Sequence, residues 1–239
     1  MNPAKTSAVL LAGGSSRRMG SGKDKLRHPI AGRPLLVHSL LAFDRCAAVH
    51  EIILVVRQDQ QDAFKTLALK HGVTKLAQVV AGGVERQDSV WRGLQALSPS
   101  SEIVLIHDGA RPCVTPEIIT RCVEAARLRG AAIPASRVKD TIKQVDSNLQ
   151  IKATLDRSAL WAAQTPQTFQ AELIRRAYEP LIRDGIIVTD DAAAVERLGH
   201  GVWIVESDPL NLKVTTPEDL LLADVILSGR GGENKLHDF

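Results

Sequence analysis

Short runs of wholly apolar residues alternate along this chain with longer stretches that are apolar on one face only. That alternation limits the possible folds more than any other feature. Ala8–Ala12 (AVLLA), Glu51–Val56 (EIILVV), Ala77–Val80 and Ile103–His107 (IVLIH) read as strands. A run apolar on both faces has to be covered on both faces, which is the condition of a parallel sheet layered between helices. The intervening stretches supply the helices: Pro34–Phe43, Gln60–Lys70, Gln87–Ala96 and Pro116–Leu128. Pro34 suits a first-turn position and Thr115 an N-cap. The predicted class is therefore α/β with a mostly parallel sheet. In such sheets ligands bind beyond the carboxyl ends of the strands, where the Gly13 and His107–Arg111 loops both lie.

The rhythm breaks between Arg137 and Leu160. Thr141–Val145 and Leu149–Leu155 flank Asp146-Ser147-Asn148, a turn composition, and so predict a hairpin. Its many polar residues predict an arm that leaves the core, for which a partner surface in a homodimer is the expected cover. Glu172–Leu181, Thr189–Leu198 and Pro217–Leu227 then read as helices, Val202–Glu206 as a strand, and Ser228–Phe239 as a frayed polar tail. With no repeat or linker, the reading is a single domain over residues 1–239 with an arm at about 137–160. A net charge of +3 and 3% aromatic residues argue against a nucleic-acid coat, a membrane surface or a base-stacking platform. Cys46, Cys113 and Cys122 match no zinc or redox spacing and are expected to be plain buried thiols. With no membrane-length apolar run and no leader pattern, the expected location is the cytoplasm.

The loop that follows the first strand, AGGSSRRMGSGKDK, combines glycines with Arg17, Arg18, Lys23 and Lys25. Exposed N–H groups and several cations make a cradle for a nucleoside triphosphate, where Arg18 and Lys25 could neutralise charge on the α-phosphate. The competing reading is a tight turn with solvated cations. Neither common phosphate motif fits. A Walker loop needs glycine where Arg17 stands and Ser or Thr at Asp24, and G-x-G-x-x-G fails at Lys25. After the buried strand, Asp108 is placed either to hold Mg²⁺ or to cap the next turn, and Arg111 could meet a second anion. The stretch Gly82–Val90 offers Gly83 and Ser89 to a base edge, or is simply a capped strand-to-helix connection. Lys139-Asp140-Thr141, Asp156-Arg157 and Asn211–Thr215 are weaker candidates. Thr189-Asp190-Asp191 reads most simply as acids favouring a helix dipole.

In this order, AGGSSRRMGSGKDK, GGVERQDSV, HDGARP, VKDT, LDR, QTPQ, TDDAAAVE and NLKVTTPEDL resemble the 2-C-methyl-D-erythritol 4-phosphate cytidylyltransferases, over roughly Val9 to Ala223. The resemblance implies a Rossmann-like sheet of the nucleotide-diphospho-sugar transferase type and homodimers with interlocking arms. It implies that Arg18 and Lys25 act at the α-phosphate of CTP. Ala12, Gly13, Gly14, Gly83, Arg86 and Ser89 would form the CTP pocket, and Asp108 would bind Mg²⁺. Arg157, reaching across the dimer, and Lys213 would position the polyol phosphate, with Arg111, Thr141 and Thr189 nearby. The chain departs from the usual pattern at Asp24-Lys25-Leu26, where Pro-Lys-Gln is common, at Ser16, where a glycine is common, and at Leu210, where an Asp is frequent. An acid beside Lys25 could pair with it or orient it. A phosphate nucleophile needs no general base, so all seven histidines are expected to be structural or superficial. The competing readings are a ribitol 5-phosphate cytidylyltransferase and a CTP-binding regulator without chemistry.

Overall fold

The computed structural model describes residues 5–14 and 24–231; Ser16, Arg17, Arg18 and Lys23 of the first loop and the tail beyond Gly231 lie outside them. The first half of the chain runs β1 (Lys5–Leu11), a small hairpin of β2 (Pro29–Ile30) and β3 (Arg33–Pro34), α1 (Leu35–Arg45), β4 (Glu51–Val56), α2 (Gln61–Lys70), β5 (Leu76–Ala81), α3 (Arg86–Gln95) and β6 (Ser101–Asp108). The second half runs α4 (Pro116–Arg129), β7 (Ala131–Arg137), β8 (Lys143–Val145), β9 (Ile151–Thr154), β10 (Trp161–Ala163), β11 (Gln167–Gln170), α5 (Ala171–Asp184), α6 (Asp191–Glu196), β12 (Trp203–Glu206) and α7 (Pro217–Gly231).

Strands β6, β1, β4 and β5 pair in parallel in that order. Successive residues of a strand face opposite ways, and here each face has its own core. Ala8, Leu10, Ile52, Leu54 and Leu105 pack with Leu36, Leu40 and Phe43 of α1 and with Ile119 and Val123 of α4. Val9, Ile53, Val55, Val104 and Ile106 pack with Val90 and Leu94 of α3 and with Ile174 and Tyr178 of α5. Every residue of β4 is buried, which is why its apolar run has no polar alternation. In α4 the buried positions Ile118, Ile119, Cys122, Val123 and Ala126 follow the helical period. Thr115 stands at the N-cap of α4, but its side chain makes no capping hydrogen bond; Pro116 opens the helix instead.

The sheet departs from a purely parallel plan on its other side. After the arm the chain returns as β10 and β11, antiparallel to β7, with β11 also antiparallel to β6. Ala132 pairs with both Thr168 and Trp203, and Ala135 with both Ala163 and Glu206, so β12 flanks β7 on the side opposite β10 and β11. The bend between β10 and β11 is pinned by the Gln164 N–H donating to the Pro134 carbonyl at 2.8 Å. The predicted hairpin is present as β8 and β9, a separate two-stranded sheet. Asp146 organises its turn, Oδ1 accepting the N–H groups of Asn148 and Gln150 at 2.9 and 3.1 Å. Along the hairpin Val145, Leu149 and Ile151 are exposed. Of the predicted frayed tail, residues 228–231 belong to α7, and the rest lies outside the described residues. Cys46, Cys113 and Cys122 are free and buried, and burial pushes the Cys113 thiol up to about 11 and that of Cys122 to about 12. Among the described residues no helix is long and apolar enough to cross a membrane.

Candidate active site

Register brings the candidate loops to one edge. Leu11 pairs with Asp108, and Val56 with Ala81, so the segments after β1, β5 and β6 all leave the sheet at its carboxyl end. The main chain ties them together. Ala12 N–H donates to Val55 O at 2.7 Å, Gly82 N–H to Val56 O at 2.7 Å, and Gly109 N–H to Leu11 O at 2.9 Å. A Cβ on Gly109 would stand 2.7 Å from Leu36 Cδ1 and 2.9 Å from Leu11 O, so only glycine permits this approach.

Asp108 is the hub. Its Oδ1 accepts from Arg86 Nε at 3.2 Å and its Oδ2 from Lys213 Nζ at 2.7 Å. Burial alone would raise its pKa, but the Arg86 and Lys213 cations outweigh burial and hold the carboxyl well below the usual carboxylate range. Its backbone is fixed as well. The Asp108 N–H donates to Thr165 Oγ1 at 3.1 Å, and the Thr165 hydroxyl donates to His107 Nδ1 at 2.9 Å. His107 Nε2–H then donates to Arg111 O at 3.3 Å. Burial pushes the His107 pKa down to about 3, so the ring is neutral and carries the single proton this network requires. The histidine beside the site is thus a buried, neutral link between Thr165 and the Arg111 carbonyl.

Arg86, at the start of α3, is gripped from the other side. Its NH1 and NH2 groups donate to Asp191 Oδ1 and Oδ2 at 2.9 and 2.8 Å, and the Tyr178 hydroxyl also donates to Asp191 Oδ1. Burial opposes the Arg86 charge, but Asp191 and then Asp108 more than compensate and raise its pKa. Sequence reasoning missed Asp191 and Tyr178. Asp191 does stand in the first turn of a helix, as the dipole reading has it, but it is fully buried, and Asp190 does the capping. The available signal was the doubled acid, since one carboxylate suffices to cap.

Lys213 arrives on a segment clamped to the β6 loop. Val214 N–H donates to Ala110 O at 2.8 Å, and Lys25 Nζ donates to Val214 O at 2.9 Å. Asp24, beside this lysine, accepts the Leu26 N–H on Oδ1 at 3.1 Å and caps the short turn Lys25–Arg27. Leu26 is buried in the core beneath. Arg111 NH1 donates to Asn211 O at 2.7 Å, tying the same two segments.

The remaining candidates divide. Arg18 lies outside the described residues. Ala12 is buried with its N–H committed to the sheet, whereas Gly14 is exposed and a Cβ there would meet nothing within 4 Å among the described residues. A Cβ on Gly13 would make only ordinary contacts, the nearest at 3.7 Å. Gly83 and Ser89 carry local architecture. A Cβ on Gly83 would fall 2.1 Å from Asp88 Cβ, while Ser89 Oγ accepts from Gly83 N–H at 3.1 Å and donates to Glu85 O at 3.3 Å. Arg157, Thr141 and Thr189 are exposed and are not drawn into the Asp108 cluster; Arg157 NH1 donates to Lys139 O at 2.6 Å within the arm. Among the described residues no three His, Cys, Asp or Glu side chains converge as a metal cage.

Arg86, Arg111 and Lys213 thus gather at one sheet edge around Asp108, with Lys25 tied to the Lys213 segment, an arrangement suited to a polyanion. A family model described as 2-C-methyl-D-erythritol 4-phosphate cytidylyltransferase matches residues 6–229. The chain is 48% identical over 226 residues to the enzyme so named from Geobacillus thermodenitrificans, covering 95% of this chain and 98% of that one. It is likewise 48% identical over 229 residues to that of Shouchella clausii, covering 96% and 98%. The crystal structure of 4-diphosphocytidyl-2C-methyl-D-erythritol synthase from Anaerococcus prevotii is similar with a TM-score of 0.82 at 34% identity, over 93% of this chain and 96% of that one. The cytidylyltransferase of Thermus thermophilus is similar with a TM-score of 0.72 at 31% identity, over 92% and 97%. The chain belongs to the 2-C-methyl-D-erythritol 4-phosphate cytidylyltransferase family.

Proposed function

We propose that this chain transfers the cytidylyl group of CTP to 2-C-methyl-D-erythritol 4-phosphate and releases pyrophosphate, a step in isoprenoid synthesis. The observation that carries the reading is the Arg86–Asp108–Lys213 cluster, with Lys25 tied to the next residue of the Lys213 segment. A substrate phosphate oxygen attacks the α-phosphorus. The new P–O bond forms as the α–β bridging bond breaks, and the electron pair leaves on pyrophosphate. The nucleophile is already anionic, so no base is required; positioning and cations lower the barrier.

Arg18 and Lys25 serve the α-phosphate. Ala12, Gly13, Gly14, Gly83, Arg86 and Ser89 surround CTP, the glycines leaving room and Gly83 and Ser89 shaping the turn that presents Arg86. Lys213, Arg111, Thr141 and Thr189 receive the polyol phosphate, and Arg157 does so from the partner's arm in a homodimer. Asp108, whose carboxylate faces Arg86 and Lys213 in this structure, would hold Mg²⁺ in exchange for the Lys213 ammonium as that cation turns to the polyol phosphate, the ion usually being held by one or two carboxylates with phosphates and water completing its shell. When bound, the ion supplies further neutralisation of the triphosphate. The setting is the cytoplasm, with residues 1–239 acting as one unit and no nucleic acid or membrane involved. The test is pyrophosphate release from CTP with each polyol phosphate in turn. Release with the methylerythritol phosphate, lost in Lys213→Met, is expected. Release with ribitol 5-phosphate alone, or CTP binding without release, overturns the proposal.

A further inference from the structure

Asp191 has no solvent exposure and no part in the roles assigned above. It does not cap α6, because Asp190 Oδ1 accepts the Ala193 N–H at 2.9 Å and does so alone. A buried ion pair is a poor source of stability compared with apolar packing, so its presence calls for another account. The geometry supplies one. Asp191 takes both terminal nitrogens of Arg86, at 2.9 and 2.8 Å, which leaves Nε as the donor that faces Asp108 at 3.2 Å. A two-toothed grip fixes the plane of a guanidinium as a single contact cannot. Asp191 is itself held by the hydroxyl of Tyr178, a fully buried residue of α5. Four elements, α5, α6, α3 and β6, are thereby linked in one chain of polar contacts.

We propose that Asp191, held by Tyr178, is a positioning residue for Arg86: it sets the guanidinium plane and offsets its charge, so that Asp108 stays oriented toward the nucleotide. The proposal rests on the reading of Arg86 and Asp108 as nucleotide-side groups. Without the Asp191 carboxylate the guanidinium turns on its long stem, and the Nε contact to Asp108 is no longer enforced.

The full-length protein is tested as Asp191→Asn, Tyr178→Phe, Arg86→Lys and the double variant Arg86→Lys/Asp191→Asn, each confirmed folded by circular dichroism. Asp191→Asn is expected to raise KM for CTP about tenfold, the scale of a charge-assisted contact, with KM for the polyol phosphate within about twofold of the parent. Tyr178→Phe, which keeps the ring packing, shifts KM for CTP less and in the same direction. The double variant is expected to match Arg86→Lys alone, because Asp191 acts through Arg86. Equal losses toward both substrates, or a double variant equal to the product of the singles, overturn the proposal. If Arg86→Lys leaves KM for CTP unchanged, the nucleotide role of Arg86 fails and ¹⁵N NMR of the arginine Nε–H groups decides the positioning role. The protected Arg86 signal must disappear in Asp191→Asn; its persistence there, or in Tyr178→Phe should Asp191→Asn not fold, overturns the proposal.

Discussion

Thr165→Val isolates what holds Asp108 in place. Valine has nearly the shape of threonine, so packing is kept while one hydroxyl is removed from a residue that is 5% exposed. Two buried groups lose their partner: the Asp108 N–H, 3.1 Å from Oγ1, and His107 Nδ1, at 2.9 Å. Turning the imidazole to its other tautomer does not help, since Nε2 would then lose its proton for Arg111 O. Each orphaned buried group costs about 2 kcal/mol, and the added methyl returns about 0.8 kcal/mol, for a net loss of about 3 kcal/mol. In a chain of 239 residues each kcal/mol moves Tm by about 2–4 °C, so calorimetry should find a fall of about 6–12 °C. Turnover falls with it, because the strand end that carries the carboxylate loosens. A Tm within about 2 °C of the parent refutes the reasoning, as does a Thr165→Ser variant, hydroxyl retained, that is destabilised as much as the valine variant.

Acid should destabilise the fold through His107. Its pKa is about 3 in the folded chain against 6.5 unfolded, so the unfolded state binds the extra proton between those values. Stability is therefore full above about pH 6.5 and falls by about 1.4 kcal/mol per unit as pH drops toward 3, with Asp108 adding to the loss once pH falls below its ordinary value of 3.8. Urea midpoints that stay flat from pH 6.5 to 4 would contradict this. Gly83→Ala and Gly14→Ala should separate architecture from access. The first drives a Cβ to 2.1 Å from Asp88 Cβ and costs about 1–3 kcal/mol, whereas the second meets nothing within 4 Å among the described residues and leaves Tm unchanged. Equal melting temperatures for the two would undo that distinction.

What could be read from the sequence followed the strength of its patterns. EIILVV is buried at every position, and its expected and observed bounds coincide. Ala131–Arg137 escaped notice because alanines and Pro134 mask a strand that β12 flanks on one side and β10 and β11 on the other. Gln167–Gln170 escaped because Gln167 and Thr168, although polar, are buried. At the site, loops that leave adjacent parallel strands were legible, and Asp108, Arg86, Arg111 and Lys213 do converge, with Lys25 tied to the Lys213 segment. The grip on Arg86 was not legible, since Tyr178 and Asp191 come from helices roughly a hundred positions further on and meet it only through packing of α5 and α6 on the sheet. Arg157 and Thr141 stand apart in the exposed arm, where the chain's own packing gives them no partner in the cluster.

The Lys25–Val214 contact closes a span of 189 residues. Contacts that distant in sequence bear the largest closure entropy and come late both in refolding and in synthesis from the N-terminus. A chain interrupted after Glu206 already contains every strand of the central sheet together with Arg86 and Asp108, but not the Lys213 ammonium that faces the second carboxylate oxygen. Scaffold and charge balance are thus completed at different moments, and the last segment to emerge is the one that turns a folded sheet into a site.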